Sequence, residues 1–332
     1  MQLSKSLARF VSLPENRLAL AAVRELAQNF SSSAHAGFHS LLLHGPPGSG
    51  KTHLVRGLVR EVTRRAPCVT VSEMSAADFD IATDHSAEGE PLHAARTNDL
   101  TVIEDVQLLS ERGVEPLVQL LERRLARHRP TVLTARVGPQ KLGELFPARL
   151  TSRLAGGLCV ALAPLQADSR FALLQDLAQR RQIAAPMEVL RWLANKLSGS
   201  GRILEGCLNR LQALMRMEKS PLEVTGLARH FAAEVEAGRP TMERITQQVS
   251  GYFRVETQAL QSRRRHRNIL WPRQVGMYLA RKLTGLTLDQ IGAYFGGRDH
   301  TTVLHACRKV SRAVERDEFP SGAVRQLHAD LG

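Results

Sequence analysis

The stretch Leu41 to His53 reads LLLHGPPGSGKTH, three leucines running directly into a glycine-rich turn that closes on Lys-Thr. A short apolar run bounded by turn residues is the pattern of a buried strand. Gly45 to His53 then follows the P-loop pattern. Its glycines let successive backbone N–H groups turn toward a phosphate, its lysine reaches the β and γ phosphates, and its Ser/Thr hydroxyl ligates Mg²⁺. Lys51 and Thr52 take the last two roles. Beyond the loop, Leu54, Val55, Leu58, Val59 and Val62 recur as the inner face of a helix. Strand, loop and helix in that order are the context the motif needs, so nucleotide binding is expected.

A P-loop NTPase also needs acidic groups at the end of a neighbouring strand, to hold the metal and to position water. Leu100 to Val106, LTVIEDV, supplies Glu104 and Asp105. Thr131 to Thr134 and Leu158 to Leu162 read as further buried strands, the first ending in a polar residue near a γ phosphate. Glu115 to His128 is the clearest helix between them. Short apolar strands alternating with helices argue a parallel α/β sheet. Three amphipathic helices follow, carried by Phe171 to Leu177, Val189 to Leu197 and Ile203 to Leu214. Arg202 opens the third, just after the Ser198 to Gly201 turn.

The C-terminal part has a different character. GGRDHTTVLHACRKV, Gly296 to Val310, reads as a tight turn feeding a helix, with Asp299 as N-cap and His300, Thr301 and Thr302 projecting from the first turn. A recognition helix reads DNA bases with such N-terminal residues while the preceding helix crosses the backbone. Thr287 and Gln290 form a capping box for that preceding helix, and Pro272 to Leu283 reads as a third. Arg263, Arg264, Arg265 and Arg267 cluster between helices with His266 among them, an arm suited to phosphates or a narrow minor groove.

Charge follows the same division. Residues 241–332 hold 15 Lys/Arg against 8 Asp/Glu, which is +7 of the chain's +13. At 332 residues and 43% apolar content the chain is long enough for two or three domains with real cores. The four cysteines lack C-x-x-C spacing, so neither zinc nor a disulfide framework is suggested, and no apolar stretch is long enough to span a bilayer. A reduced cytoplasm, in association with DNA, is the expected location. A pI near 10.4 is also compatible with an acidic membrane surface.

Taken together these segments resemble the AAA+ replication initiator family DnaA. The resemblance is carried by GGRDHTTVLHACRKV, by RRRHRNILWPRQVGMYLARKLTGLTLDQIG before it, and by SGRILEGCLNRL, which is similar to the family's lid segment. It implies an α/β P-loop AAA+ core with a parallel sheet over residues 1–163 and a helical lid over 164–234. A linker at 235–240, within EVEAGRP, would lead to an all-α helix-turn-helix domain binding double-stranded DNA over 241–332.

The resemblance also implies roles. Gly45, Gly48, Ser49, Gly50, Lys51 and Thr52 would hold the phosphates of ATP or ADP, with Mg²⁺ on Thr52 and Glu104. Glu104 and Asp105 are the Walker B pair and Arg202 the sensor 2 arginine. Arg153, with Arg149 close by, matches an arginine finger that reaches a neighbouring protomer's ATP. Arg264, Arg265 and Arg267 match minor-groove and phosphate contacts, Arg273 and Gln274 backbone contacts, and Arg298, Asp299, His300, Thr301 and Thr302 the major-groove readers. ATP-dependent homo-oligomers on origin boxes, with weak ATPase activity, are the expected behaviour.

Three departures from the family pattern stand out. Only 44 residues precede Gly45, so the family's N-terminal domain and its helicase-recruiting role are expected to be missing. Glu104 stands where the family carries Asp, and Ala135-Arg136 where it carries Ser-Asp. Ser72 to Asp99, the expected single-stranded-DNA region, carries Arg96 among many acids. An origin-binding initiator is the first reading; a shorter relative regulating transcription or replication without loading a helicase is the alternative.

Overall fold

The computed structural model describes residues 6–30, 38–84, 90–217, 227, 229–262 and 267–331. It divides into two compact units, one of residues 1–187 and 199–217, the other of residues 188–198 and 218–332. Segment 188–198, expected within the lid, groups with the second.

The first unit is built on five strands: β1 (Ser40–His44), β2 (Val71–Ser75), β3 (Leu100–Glu104), β4 (Thr131–Ala135) and β5 (Leu158–Ala161). All pair in parallel, in the order β2-β3-β4-β1-β5. Its helices are α1 (Arg17–Asn29), α2 (Lys51–Arg65), α3 (Ala76–Asp84), α4 (Glu90–Thr97), α5 (Glu111–Ala126), α6 (Pro139–Leu142), α7 (Ala148–Ala155) and α8 (Ala167–Arg180). Strand alternation sorts the core onto two faces. Leu41 and Leu43 pack with α1 and α2, while Leu42 packs with α3, α5 and α7. All three leucines are fully buried, each contributing roughly 1.5–3 kcal/mol of transfer free energy. The expected parallel sheet is therefore a three-layer α/β/α sandwich.

Two details differ from the sequence reading. Strand β3 stops at Glu104, because Asp105 turns into the left-handed region (φ 59°). Strand β2 was not foreseen, since VSEMS is polar and only partly buried; it survives as the edge of the sheet.

Helix α9 (Met187–Lys196) follows, and α10 (Gly201–Met217) completes the first unit. In the second unit α11 (Ala232–Ala237) runs into the expected linker, because its Ala- and Glu-rich sequence continues the helix until Gly238, Arg239 and Pro240 stop it. Helices α12 (Met242–Phe253), α13 (Thr257–Gln261), α14 (Arg267–Leu283), α15 (Leu288–Tyr294), α16 (His300–Glu315) and α17 (Ser321–Leu331) then pack around Ile245, Val249, Leu279, Phe295, Val303 and Val310. Helix α14 starts at Arg267 and not at Pro272: a proline this near a helix start forfeits a single hydrogen bond, which the packed helix tolerates.

Candidate functional site

The P-loop leaves the C-terminal end of β1 where the order of strand connections reverses, the place where open parallel sheets hold ligands. Gly50 directly precedes α2, whose first residues are Lys51 and Thr52. Lys51 Nζ donates to the carbonyls of Gly45 (2.6 Å) and Pro46 (3.0 Å). Burial pushes its ammonium below the usual lysine range, partly offset by Asp105 and Glu104. Thr52 Oγ1 donates to Glu104 Oε2 at 2.7 Å. Ser49 Oγ is buried and has no hydrogen-bond partner among the described residues. A lysine held over the loop, an orphaned hydroxyl, and a hydroxyl-carboxylate pair form the donor set that a phosphate and a divalent cation require.

The neighbouring strands complete the floor. Asp105 donates its backbone N–H to Thr134 Oγ1 (2.9 Å) and accepts from Gln107 Nε2 (2.8 Å). Gln107 Oε1 in turn accepts from the Arg136 N–H (2.9 Å). Gln107 was missed by sequence reasoning, although it lies two residues beyond Asp105. Arg136, in place of an acid, adds positive charge that lowers the Lys51 pKa further.

Gly48 adopts φ +78°, and a methyl group there would lie 2.2 Å from Ser200 Oγ and 3.8 Å from Arg202 Cβ. Only glycine fits that close approach. The N-terminus of α10 therefore sits over the P-loop and brings Arg202 to it. Arg153 is not brought to the same place. It lines a cavity with Ser40, Thr131 and Leu158, the first residues of β1, β4 and β5, whereas the P-loop lies at the other end of β1. A five-residue strand separates the two ends by roughly 13 Å. Instead, Arg153 pairs with Glu122 on α5 (3.1 Å).

In the second unit, α15 and α16 form the two helices of a helix-turn-helix. Thr287 and Gln290 make both bonds of the capping box, 3.2 and 2.9 Å. Gly296 (φ +93°) lies so close to the carbonyl of Gln261 that a Cβ would meet it at 2.5 Å. Ser262, the last described residue before the basic cluster, is also against Gly296, and Arg298 Nη2 donates to its carbonyl at 3.5 Å. The chain thus enters the arginine-rich segment beside the recognition turn. Asp299 occupies the N-cap position of α16, but its carboxylate makes no capping bond. Asp299, His300, Thr301 and Thr302 are all exposed, with His300 Nδ1 3.6 Å from Asp289 Oδ1. Arg298 is half-buried.

Of the residues assigned to backbone contacts, Arg273 is buried and Gln274 half-buried, and other assigned residues lie outside the described ones. Arg273 is 2% exposed, and its guanidinium donates to the carbonyls of Leu260 and Ala259, both at 2.8 Å. Burial and the neighbouring Arg298 push its pKa down to about 10. Its guanidinium is committed to the C-terminal carbonyls of α13, where it supports the fold. Gln274 is half-buried with Oε1 inside and without a partner among the described residues. Arg264 and Arg265 lie outside the described residues; Arg267 opens α14.

A five-stranded parallel sheet with a P-loop at a central strand and a helical segment over it, joined in one chain to a helix-turn-helix, defines a DNA-binding AAA+ protein. The bacterial DnaA ATPase domain model matches residues 2–161, and the bacterial DnaA helix-turn-helix model matches residues 242–310. The chromosomal replication initiator protein DnaA of Lactobacillus johnsonii is 32% identical over 97% of this chain and 72% of its own length. That of Bordetella avium is 34% identical over 92% of this chain and 64% of its own length. A solved replication initiator DnaA bound to AMPPCP and single-stranded DNA superposes with a TM-score of 0.59 at 26% identity, covering 98% of this chain and 96% of that one. The chain belongs to the bacterial DnaA family. Among the described residues no helix is long and apolar enough to cross a membrane.

Proposed function

We propose that this protein is an ATP-regulated replication initiator that recognises DNA boxes at an origin, oligomerises on them in its ATP state and promotes strand opening. The observation that carries the reading is that one chain combines a P-loop site with an assembled Thr52–Glu104 pair and a recognition helix whose first residues are exposed. In this reading, residues 1–163 and 164–234 form the ATP-binding core and lid, and 241–332 the DNA-binding domain.

The phosphates of ATP would lie against Gly45 to Gly50, Ser49 Oγ and Lys51 Nζ, with Mg²⁺ between Thr52 and Glu104. The cation would neutralise phosphate charge. Arg202, beside Gly48, would sense the γ phosphate of its own protomer's nucleotide. Arg153, at the far end of the sheet from its own P-loop, suits a neighbour's nucleotide instead. ATP then favours the oligomer only by as much as it binds the oligomer better than the monomer. Asp299, His300, Thr301 and Thr302 would read the major groove and the arginines near 264 the backbone or minor groove. The relative solved with single-stranded DNA supports a further contact to an opened strand.

Footprinting on DNA carrying several candidate boxes, with ATP and with ADP, tests the reading. Extended protection is expected with ATP alone, and lost in Arg153→Ala; identical footprints in both nucleotides would overturn it.

A further inference from the structure

Helix α7 rests on α5 through Leu150 and Leu154, both fully buried, and presents Arg149 and Arg153 one turn apart on its exposed side. Opposite them α5 presents Glu115 and Glu122. Arg149 Nη1 lies 3.0 Å from Glu115 Oε1, and its Nη2 3.7 Å from Glu122 Oε2. Arg153 contacts Glu122 Oε1 twice, through Nη2 at 3.1 Å and Nε at 3.2 Å. Glu122 therefore contacts both guanidiniums, and its single oxygen Oε1 is shared by Nε and Nη2 of Arg153, the edge of the guanidinium with which a phosphate would also pair.

The Nε/Nη2 edge of a guanidinium cannot grip a second anion while a carboxylate oxygen holds it. For Arg153 to reach a neighbour's ATP, its contact with Glu122 must break, and the neighbour's phosphate must compensate. We infer that Glu122 is a restraint on assembly: it parks Arg153 on its own protomer and sets how much phosphate charge a partner must offer before the finger transfers. The inference rests on the role proposed above for Arg153. The parked contact is partly solvated, with Arg153 48% and Glu122 35% exposed by side chain, so it is weak enough to exchange. A triphosphate outcompetes it and a diphosphate, with less charge at the transferred position, does so less well. Glu115 touches Arg149 alone among these arginines and would not restrain Arg153 directly.

The test measures the protein concentration for half-maximal assembly on multi-box DNA, by light scattering or crosslinking, with ATP and ADP. Glu122→Gln keeps the shape and removes the charge. It should lower the ATP midpoint about threefold, narrow the ATP-to-ADP gap, and leave affinity for a single box unchanged. Glu115→Gln should leave the midpoint in place, and Glu122→Asp should fall between Glu122→Gln and the unmodified protein. Melting temperatures of all three variants identify any loss of α5–α7 packing. An unchanged or raised midpoint in a Glu122→Gln protein that melts normally overturns the restraint, as does an equal effect of Glu115→Gln. If Glu122→Gln does not fold, the comparison of Glu122→Asp with Glu115→Gln decides in the same way. Normal ATP assembly by Arg153→Ala would instead overturn the proposed function of the finger itself.

Discussion

Thr52 Oγ1 donates a 2.7 Å hydrogen bond to Glu104 Oε2 across 52 positions of sequence. It links the first turn after the P-loop to the last residue of β3. The longer side chain of Glu104, standing where an aspartate was expected, reaches the hydroxyl directly.

Because a hydrogen bond to a charged group is worth about 1.5–3 kcal/mol, Glu104→Gln should lower Mg²⁺-dependent ATP affinity by about tenfold or more. Affinity in EDTA should change far less. Calorimetric titration in both conditions checks this, and equal affinities in Mg²⁺ would remove Glu104 from the metal site.

Glu73 shares a sheet face with Glu104, since Ser75 pairs with Glu104 and Glu73 lies two residues before it. Glu73 is exposed on the edge strand, and partial desolvation, then the Glu104 charge, hold its carboxyl above the usual carboxylate range. A raised folded-state pKa penalises the ionised form. The cost is therefore full above the folded value and vanishes once Glu73 is protonated in both the folded and unfolded states. Glu73→Gln should raise the melting temperature at pH 7 and leave it unchanged near pH ~3. A fall at pH 7 would refute the assignment.

Arg124 is 1% exposed and donates to Thr131 Oγ1 and to the carbonyls of Ala95, Asn98, Asp99 and Pro130. It ties together the segments that lead into β3 and β4. Arg124→Ala would leave several buried acceptors unpaired, at a cost of about 3 kcal/mol or more. Arg124→Lys should recover only part, because one ammonium cannot replace a planar fork. Urea unfolding of the two variants measures both effects.

Arg273→Ala and His300→Ala should separate support from recognition. Arg273→Ala is expected to lower the melting temperature of the DNA-binding unit, with DNA affinity lost only in proportion to unfolding. His300→Ala and Thr302→Ala should leave stability intact and relax base preference by about 1–3 kcal/mol at the contacted positions. A stable Arg273→Ala protein with a reduced salt slope would return Arg273 to the DNA surface.

Gly296→Ala would place a Cβ 2.5 Å from the carbonyl of Gln261 at a φ of +93°. Both effects act on the turn that presents α16, so binding to double-stranded DNA should fall together with stability. Preserved affinity would show that the turn can shift without moving the readers.

The P-loop and the recognition segment were legible because each has fixed spacing along the chain and its chemistry depends on neighbours in sequence; the acidic strand end and the lid arginine, whose partners lie far off in sequence, were read from strand and helix pattern and from the family resemblance. LLLHGPPGSGKTH needs no distant residue to declare a strand, a phosphate loop and a helix. Strand β2 was not legible, since an edge strand half open to water carries little apolar alternation. Gln107 and Glu122 were not legible either: their partners, Arg136 and Arg153, lie 29 and 31 residues away.

Arg273 shows the limit most clearly. By sequence it belongs with the surface arginines around it, because a cation in a basic segment is ordinarily solvated. Packing instead placed it under α13, where backbone carbonyls left at a helix end accept its guanidinium. The sequence alone determined which chemistries this protein carries, through local pattern and backbone preference. Only the tertiary structure decided which charges face outward, which are consumed inside, and that Arg153 lies at the opposite end of the sheet from the nucleotide loop of its own chain. Those outcomes depend on long-range packing and on the desolvation that packing imposes, neither of which is encoded in any single segment.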